Sequence, residues 1–123
     1  MLNHLSLQVL DLESSLRFYD AVLTPLGGRR VIEFGDAVGF GRDFPSFWVG
    51  RAEDRVPNRP VHVAFSAASD DQVRAFFAAA VATGAEVLHE PRVWPEYHPG
   101  YFGAFVRDPD GNNVEAVHHA FAA

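Results

Sequence analysis

Arg107-Asp108-Pro109-Asp110-Gly111-Asn112-Asn113-Val114-Glu115 is the stretch on which the reading of this chain turns. Asp108 can fold its carboxylate onto its own backbone, Pro109 presets φ at the first turn position, and Gly111 supplies the φ > 0 corner that reverses the chain. The flanking runs, Tyr101 to Arg107 and Asn113 to Val117, then form the two arms of a hairpin. Period-two alternation sends Asn113, Glu115, Val117 and His119 to one sheet face and Val114, Ala116 and His118 to the other. Glu115 is a lone carboxylate among apolar neighbours, so it faces either solvent or a partner.

Working back from the hairpin, the same pattern occurs twice. Asn3 to Leu10 alternates strictly, with His4, Ser6 and Gln8 on one face and Leu5, Leu7 and Val9 on the other. Asp11 can cap a helix from about Leu12 to Leu26, whose apolar stripe is Leu12, Leu16, Tyr19, Leu23 and Leu26. Gly27-Gly28 ends it, and Val31 to Phe34, Ala37 to Gly41 and Phe44 to Val49 read as an antiparallel meander. Arg51 to Pro60 is polar with two prolines and reads as a linker. The pattern then restarts: Val61 to Ala67 alternates, Ser69 opens a helix striped with Val73, Phe76, Phe77, Ala80 and Val81, and Gly84 closes it. Glu86 to His89 and the hairpin supply the last three strands.

This is an internal repeat of roughly sixty residues. It predicts one α+β domain over residues 1–123, with module one about 1–50, a linker at 51–60 and module two about 61–119, each module βαβββ. If each helix covers the apolar face of its sheet, the opposite faces carry His4 and His62, and His4, His62 and Glu115 can line one cavity.

Composition narrows the function classes. The 123 residues are 48% apolar with 11 Phe, enough for a sizeable core. Ten Arg and no Lys face sixteen acids, a formal charge of −6, which argues against nucleic acid and acidic membrane surfaces as partners. The expected partner is a small molecule or a second copy of the chain. The absence of Cys excludes disulfides and thiolate metal sites. No apolar run approaches a membrane span and no export signal is evident, so a cytoplasmic location is the default expectation.

The order His on the first strand, His on the strand after the linker, and Glu after Asp108-Pro109-Asp110-Gly111-Asn112 resembles the vicinal oxygen chelate superfamily. That superfamily holds glyoxalase I, the extradiol dioxygenases, the fosfomycin-resistance enzymes and the bleomycin-binding proteins. The likeness spans the chain, through Asn3-His4-Leu5, Phe18-Tyr19, His62-Val63-Ala64-Phe65 and the 107–115 stretch. It implies paired βαβββ modules in a cupped mixed sheet with helices on the convex face, around one divalent metal held by His4, His62 and Glu115. Two neutral imidazoles and a carboxylate on one side of a metal suit Fe(II) and are open to Mn(II), Zn(II), Ni(II) or Co(II). Small single-chain relatives of this length further imply a homodimer with two shared sites, each taking His4 from one chain and His62 with Glu115 from the other.

Departures from the family patterns bear on the reaction. Glyoxalase I carries a fourth ligand, a Glu, on the last strand of its first module, where this chain has Phe47-Trp48-Val49, and Glu53 falls in the charged linker. The extradiol dioxygenases place a Tyr ten residues before their Glu, a position held here by Phe105, and Phe47 stands where they have a second His. Fosfomycin-transferring enzymes share a hydroxyl near Ser6 but use a Lys that this chain lacks. The loop Trp94-Pro95-Glu96-Tyr97-His98-Pro99-Gly100-Tyr101 could supply a general acid or base, with His98 and Tyr101 as the candidates, or its aromatics could anchor it to the sheet. His89, His118 and His119 are expected to be structural or exposed.

Two functions follow as expectations. One is a metal-dependent lyase, isomerase or dioxygenase acting on a small oxygenated substrate in a pocket that includes Ser6, Phe47, Trp48 and Phe105. The other is a non-catalytic module of the bleomycin-resistance type, sequestering an aromatic drug or metabolite in a cup lined by Phe40, Phe47, Trp48 and Phe105.

Overall fold

The computed structural model describes residues 1–120. Its elements are β1 (Leu5–Val9), α1 (Leu12–Leu23), β2 (Arg29–Phe34), β3 (Ala37–Gly41), β4 (Phe47–Arg51), β5 (His62–Ser66), α2 (Asp70–Ala82), β6 (Val87–Val93), β7 (Tyr101–Arg107) and β8 (Asn113–His119). Both modules are βαβββ.

Local chemistry sets the element ends. The Asp11 carboxylate accepts the Ser14 N–H, and the Ser69 hydroxyl accepts the Gln72 N–H, so each helix starts on a side-chain cap. The first helix is shorter than its apolar stripe suggests. It ends at Leu23 and passes into a 3₁₀ turn, Thr24–Leu26, because Pro25 has no N–H for the next α-helical bond. The fourth strand starts at Phe47 rather than Phe44: the Ser46 N–H bonds to the Phe44 carbonyl, folding residues 42–46 into a turn. The sixth strand runs on to Val93, past Pro91, which is tolerated because the pairing register with β7 shifts between His89 and Arg92.

Each module makes its own four-stranded mixed sheet, ordered β1-β4-β3-β2 and β5-β8-β7-β6. Among the described residues the two sheets share no strand pairing, and β1 and β5 both lie at an edge. What joins the modules is apolar burial. One core cluster draws Leu7, Val9, Tyr19, Phe40, Phe47 and Val49 from module one and Val63, Val73, Phe76, Ala104, Val106 and Val114 from module two. Phe47 and Phe65 meet edge to face across it, at 5.0 Å between centroids.

The 107–113 turn fastens this arrangement. Buried Asp108 accepts the N–H groups of Asp110 and Asn112 on one oxygen, and the Tyr19 hydroxyl and the Asn112 amide on the other, the Tyr19 bond being 2.6 Å long. The Asn112 side-chain oxygen in turn accepts from the Val61 N–H and the Asn58 amide. Asp110 accepts the Leu10 N–H. One turn thereby binds α1, the end of β1, the linker and the start of β5. Among the described residues no helix is long and apolar enough to cross a membrane.

Candidate functional site

The site grows from β8. Val114 and Ala116 belong to the core beneath α2, so Glu115 between them stands on the opposite face of the sheet. It is nevertheless fully buried. Its Oε1 lies 2.7 Å from His62 Nε2, and its Oε2 accepts a hydrogen bond from the Tyr101 phenol. The neighbouring strands make this possible: Ala64 pairs with Glu115 on β5, which brings His62, two residues earlier, across the sheet face, while Tyr101 reaches in from β7. Gly103 leaves the room, since a Cβ there would come within 3.1 Å of Glu115 Oε2 and 3.2 Å of the Tyr101 ring. Burial, and then the bond to Glu115, raise the Tyr101 pKa, so the phenol keeps its proton as donor. Half of the His62 side chain is exposed, which makes it the solvent-facing member of the trio.

A wall of rings closes the module-two side. The Trp94 indole donates to the Gly103 carbonyl and packs edge-on against Phe105, whose other neighbours include His62 and His89. Tyr97 stacks on Trp94, and the Arg92 guanidinium sits 3.4 Å from the indole centroid. The 94–101 loop is thus anchored by its aromatics. His98 stays at its rim, with Nε2 2.8 Å from His119 Nδ1 and its ring edge-on to Tyr101. Tyr101 links its ring to Glu115.

The other candidate residues fall in two groups. His4, just before β1, is exposed and hydrogen-bonded to Asn3, and among the described residues no three His, Asp or Glu side chains come together as a metal site. One chain therefore unites His62 with Glu115 but does not bring His4 to them. Ser6 and Trp48 are register partners on the β1–β4 face turned away from α1. Phe47 and Phe40, by contrast, are not pocket residues. Both point into the core and pack around Tyr19, because they share the parity of Leu5, Leu7 and Val9, the helix-facing side. Glu53 is exposed in the linker, Glu96 pairs with Arg92, and His118 pairs with Asp70 at the start of α2.

Reading residue by residue misses Gly103 and His89 as parts of the site, while the aromatics of the Trp94 loop do anchor it to the sheet. A glycine inside an apolar strand is the one local signal for the first, since it marks a close approach. For His89 the position is set by register shifts between β6 and β7, which the residue order does not announce.

The fold and this carboxylate–imidazole face define a class: paired βαβββ modules that display one His-Glu pair on an open sheet. A sequence profile of the Glyoxalase/Bleomycin resistance protein/Dioxygenase superfamily matches residues 1–116, and the chain belongs to that family. A glyoxalase/bleomycin resistance protein from Albidiferax ferrireducens T118 is 30% identical, with a TM-score of 0.80 over 94% of this chain and 96% of that one. A lactoylglutathione lyase from Agrobacterium tumefaciens shares the fold at 24% identity and a TM-score of 0.68, over 96% of this chain and 92% of that one. The oxidase ChaP-H2 shares it at 22% identity and a TM-score of 0.67, over 100% of this chain and 96% of that one. A search of curated proteins finds no match.

Proposed function

We propose that the chain is a divalent-metal-dependent enzyme acting on a small oxygenated substrate, by lyase, isomerase or dioxygenase chemistry. The observation that carries this reading is Glu115: a fully buried carboxylate on an open sheet face, with an imidazole nitrogen 2.7 Å from one oxygen and a phenol on the other. Burying a charge is costly unless it is paired or ligates a cation. His62 and Glu115 are two donors of a two-His, one-carboxylate set, and His4 is the third on the equivalent strand position of module one. The donor types fit Fe(II), Mn(II), Zn(II), Ni(II) or Co(II).

Because one chain leaves His4 apart, the reading includes a homodimer in which His4 of one copy meets His62 and Glu115 of another. The positions of β1 and β5 at the ends of their sheets support it, as does the buried Asn113 side-chain oxygen, which has no hydrogen-bond partner among the described residues and lies in register with His62. A bound metal would polarise a substrate oxygen and stabilise negative charge developing there. The protein's own part is distinct. Tyr101 holds one Glu115 oxygen in place, leaving the other toward His62, and His98 stands beside the phenol where it can pass a proton to solvent. The first-module strand on which glyoxalase I has its fourth ligand reads Phe47-Trp48-Val49 here, so lactoylglutathione lyase activity is not part of the proposal.

A second reading, a binding module without metal, is favoured by one observation: His62 and Tyr101 already satisfy both Glu115 oxygens. Metal analysis of tag-free protein separates the two. Close to one metal per chain, lost in Glu115→Gln, is the expected result; metal-free protein would leave the binding module. Sharing of the site is tested by mixing. His4→Ala and Glu115→Gln homodimers should each lack a complete site, and refolding an equal mixture should restore about a quarter of the sites if subunits pair at random. No recovery at any ratio would remove the shared-site arrangement.

A further inference from the structure

The internal repeat allows the two sheets to be compared position by position, and the comparison isolates one substitution. In module two, Ala64 pairs with Glu115 and Glu115 pairs with Phe105. In module one, Ser6 pairs with Trp48 and Trp48 pairs with Gly39. His62 and His4 each stand two residues before the first member of their series. Trp48 is therefore the structural counterpart of Glu115, and Gly39 the counterpart of Phe105. Where module two has a carboxylate beside a large ring, module one has a large ring beside no side chain at all.

This exchange is enforced by space. A Cβ on Gly39 would lie 2.6 Å from Pro45 Cβ and 3.0 Å from the Cε2 and Cζ2 atoms of Trp48, too close for any residue but glycine without moving them. The six-membered ring of the indole therefore lies against the Gly39 backbone, braced by Pro45 from the 42–46 turn. Its chain neighbours Phe47 and Val49 are buried in the core, while Trp48 itself is only partly covered. Adjacent Ser6 and Gln8 on the same face of β1 are exposed. The result is a flat apolar surface beside polar strand positions, on the face that also continues to His4.

We propose that Trp48, held flat by Gly39 and Pro45, is the specificity-determining surface of the site and that the substrate carries a planar aromatic ring that stacks on it. The inference rests on the proposed function in that the ring's oxygen substituent would be directed to the His62–Glu115 donors of the second copy in the shared-site dimer. An indole face attracts planar rings by offset stacking in addition to area burial. A saturated ring of the same size would match the area but not the stacking geometry.

The test compares 2-naphthol with its saturated counterpart, decahydro-2-naphthol, by equilibrium dialysis against the protein as purified, with metal content and oligomeric state measured on the same samples. The wild type should bind 2-naphthol about tenfold more tightly than the decahydro compound. Trp48→Leu should abolish that preference, and Trp48→Phe should keep most of it. Gly39→Ala should weaken 2-naphthol binding although it removes no group that the ligand would touch, since the new methyl must displace Pro45, the indole it braces, or both. If Gly39→Ala does not fold, the two Trp48 variants decide the matter. Absence of 2-naphthol binding, equal affinity for the two ring types, a preference that survives in Trp48→Leu, or dissociation of the assembly by Trp48→Leu would each overturn the proposal. Metal-free protein that still shows a Trp48-dependent preference would remove the metal-enzyme reading and leave the aromatic shelf standing.

Discussion

Tyr101 donates its phenolic hydrogen to the Glu115 oxygen that His62 does not contact. The bond joins β7 to β8 across Gly103, and Glu115 has no exposure to water that could replace it. In Tyr101→Phe that oxygen loses its donor, and a buried acceptor left unpaired costs about 1–3 kcal/mol. We predict a loss of that size in urea unfolding, with the far-UV spectrum unchanged. An unshifted midpoint would mean that solvent takes the place of the phenol.

Phe47 separates core from cup. It packs on Tyr19 and Phe65 between the modules, so Phe47→Ala should lower stability by about 3–5 kcal/mol, as large-to-small changes of buried aromatics do. Trp48→Leu, one residue away on the other face, should cost clearly less. Equal losses in thermal unfolding would contradict the assignment of the two residues to opposite faces.

His98 is predicted to leave the metal complement untouched. Its ring lies against Tyr101 and its Nε2 against His119, so His98→Ala should hold as much metal as the wild type. Metal content falling as far as in Glu115→Gln would promote His98 to a ligand and displace one of the proposed three.

The Tyr19–Asp108 bond predicts an alkaline limit. Burial, and then the adjacent Asp108 charge, raise the Tyr19 pKa well above its ordinary value of 10.0. A raised folded-state pKa means that the stabilisation is fully present below the unfolded value and is lost as pH climbs through the folded one. Stability of the wild type should therefore fall from about pH 10 upward. Tyr19→Phe should be less stable at pH 7, because Asp108 loses a donor, yet should fall less steeply above pH 10. Parallel pH profiles for the two proteins would refute the link.

How far the sequence reaches is clearest at the two repeats. Alternation in Leu5-Ser6-Leu7-Gln8-Val9 and in the strand from Val61, the Asp11 and Ser69 caps, and the Asp108–Gly111 reversal each depend only on neighbours within a few residues, so element order and strand faces follow from local rules. The same parity identifies His62 and Glu115 as face-sharing residues. It also holds the answer for Phe47, which shares the helix-facing side with Leu5, but ring chemistry alone cannot tell a core residue from a pocket residue.

What tertiary structure alone decided is how distant groups meet. Asp108 reads as a self-capping turn residue, yet it also binds Tyr19, 89 positions away, because α1 crosses the end of the hairpin. The trio of His62, Glu115 and Tyr101 depends on the register of three strands, and Gly39 beneath Trp48 depends on a turn that folds back over β3. His4 is separated from its proposed partners because the modules of one chain join through their helix-facing sides. The sheet faces bearing the histidines are then turned away from the shared core, so strand parity, which fixes which face a residue takes, does not fix which faces come together.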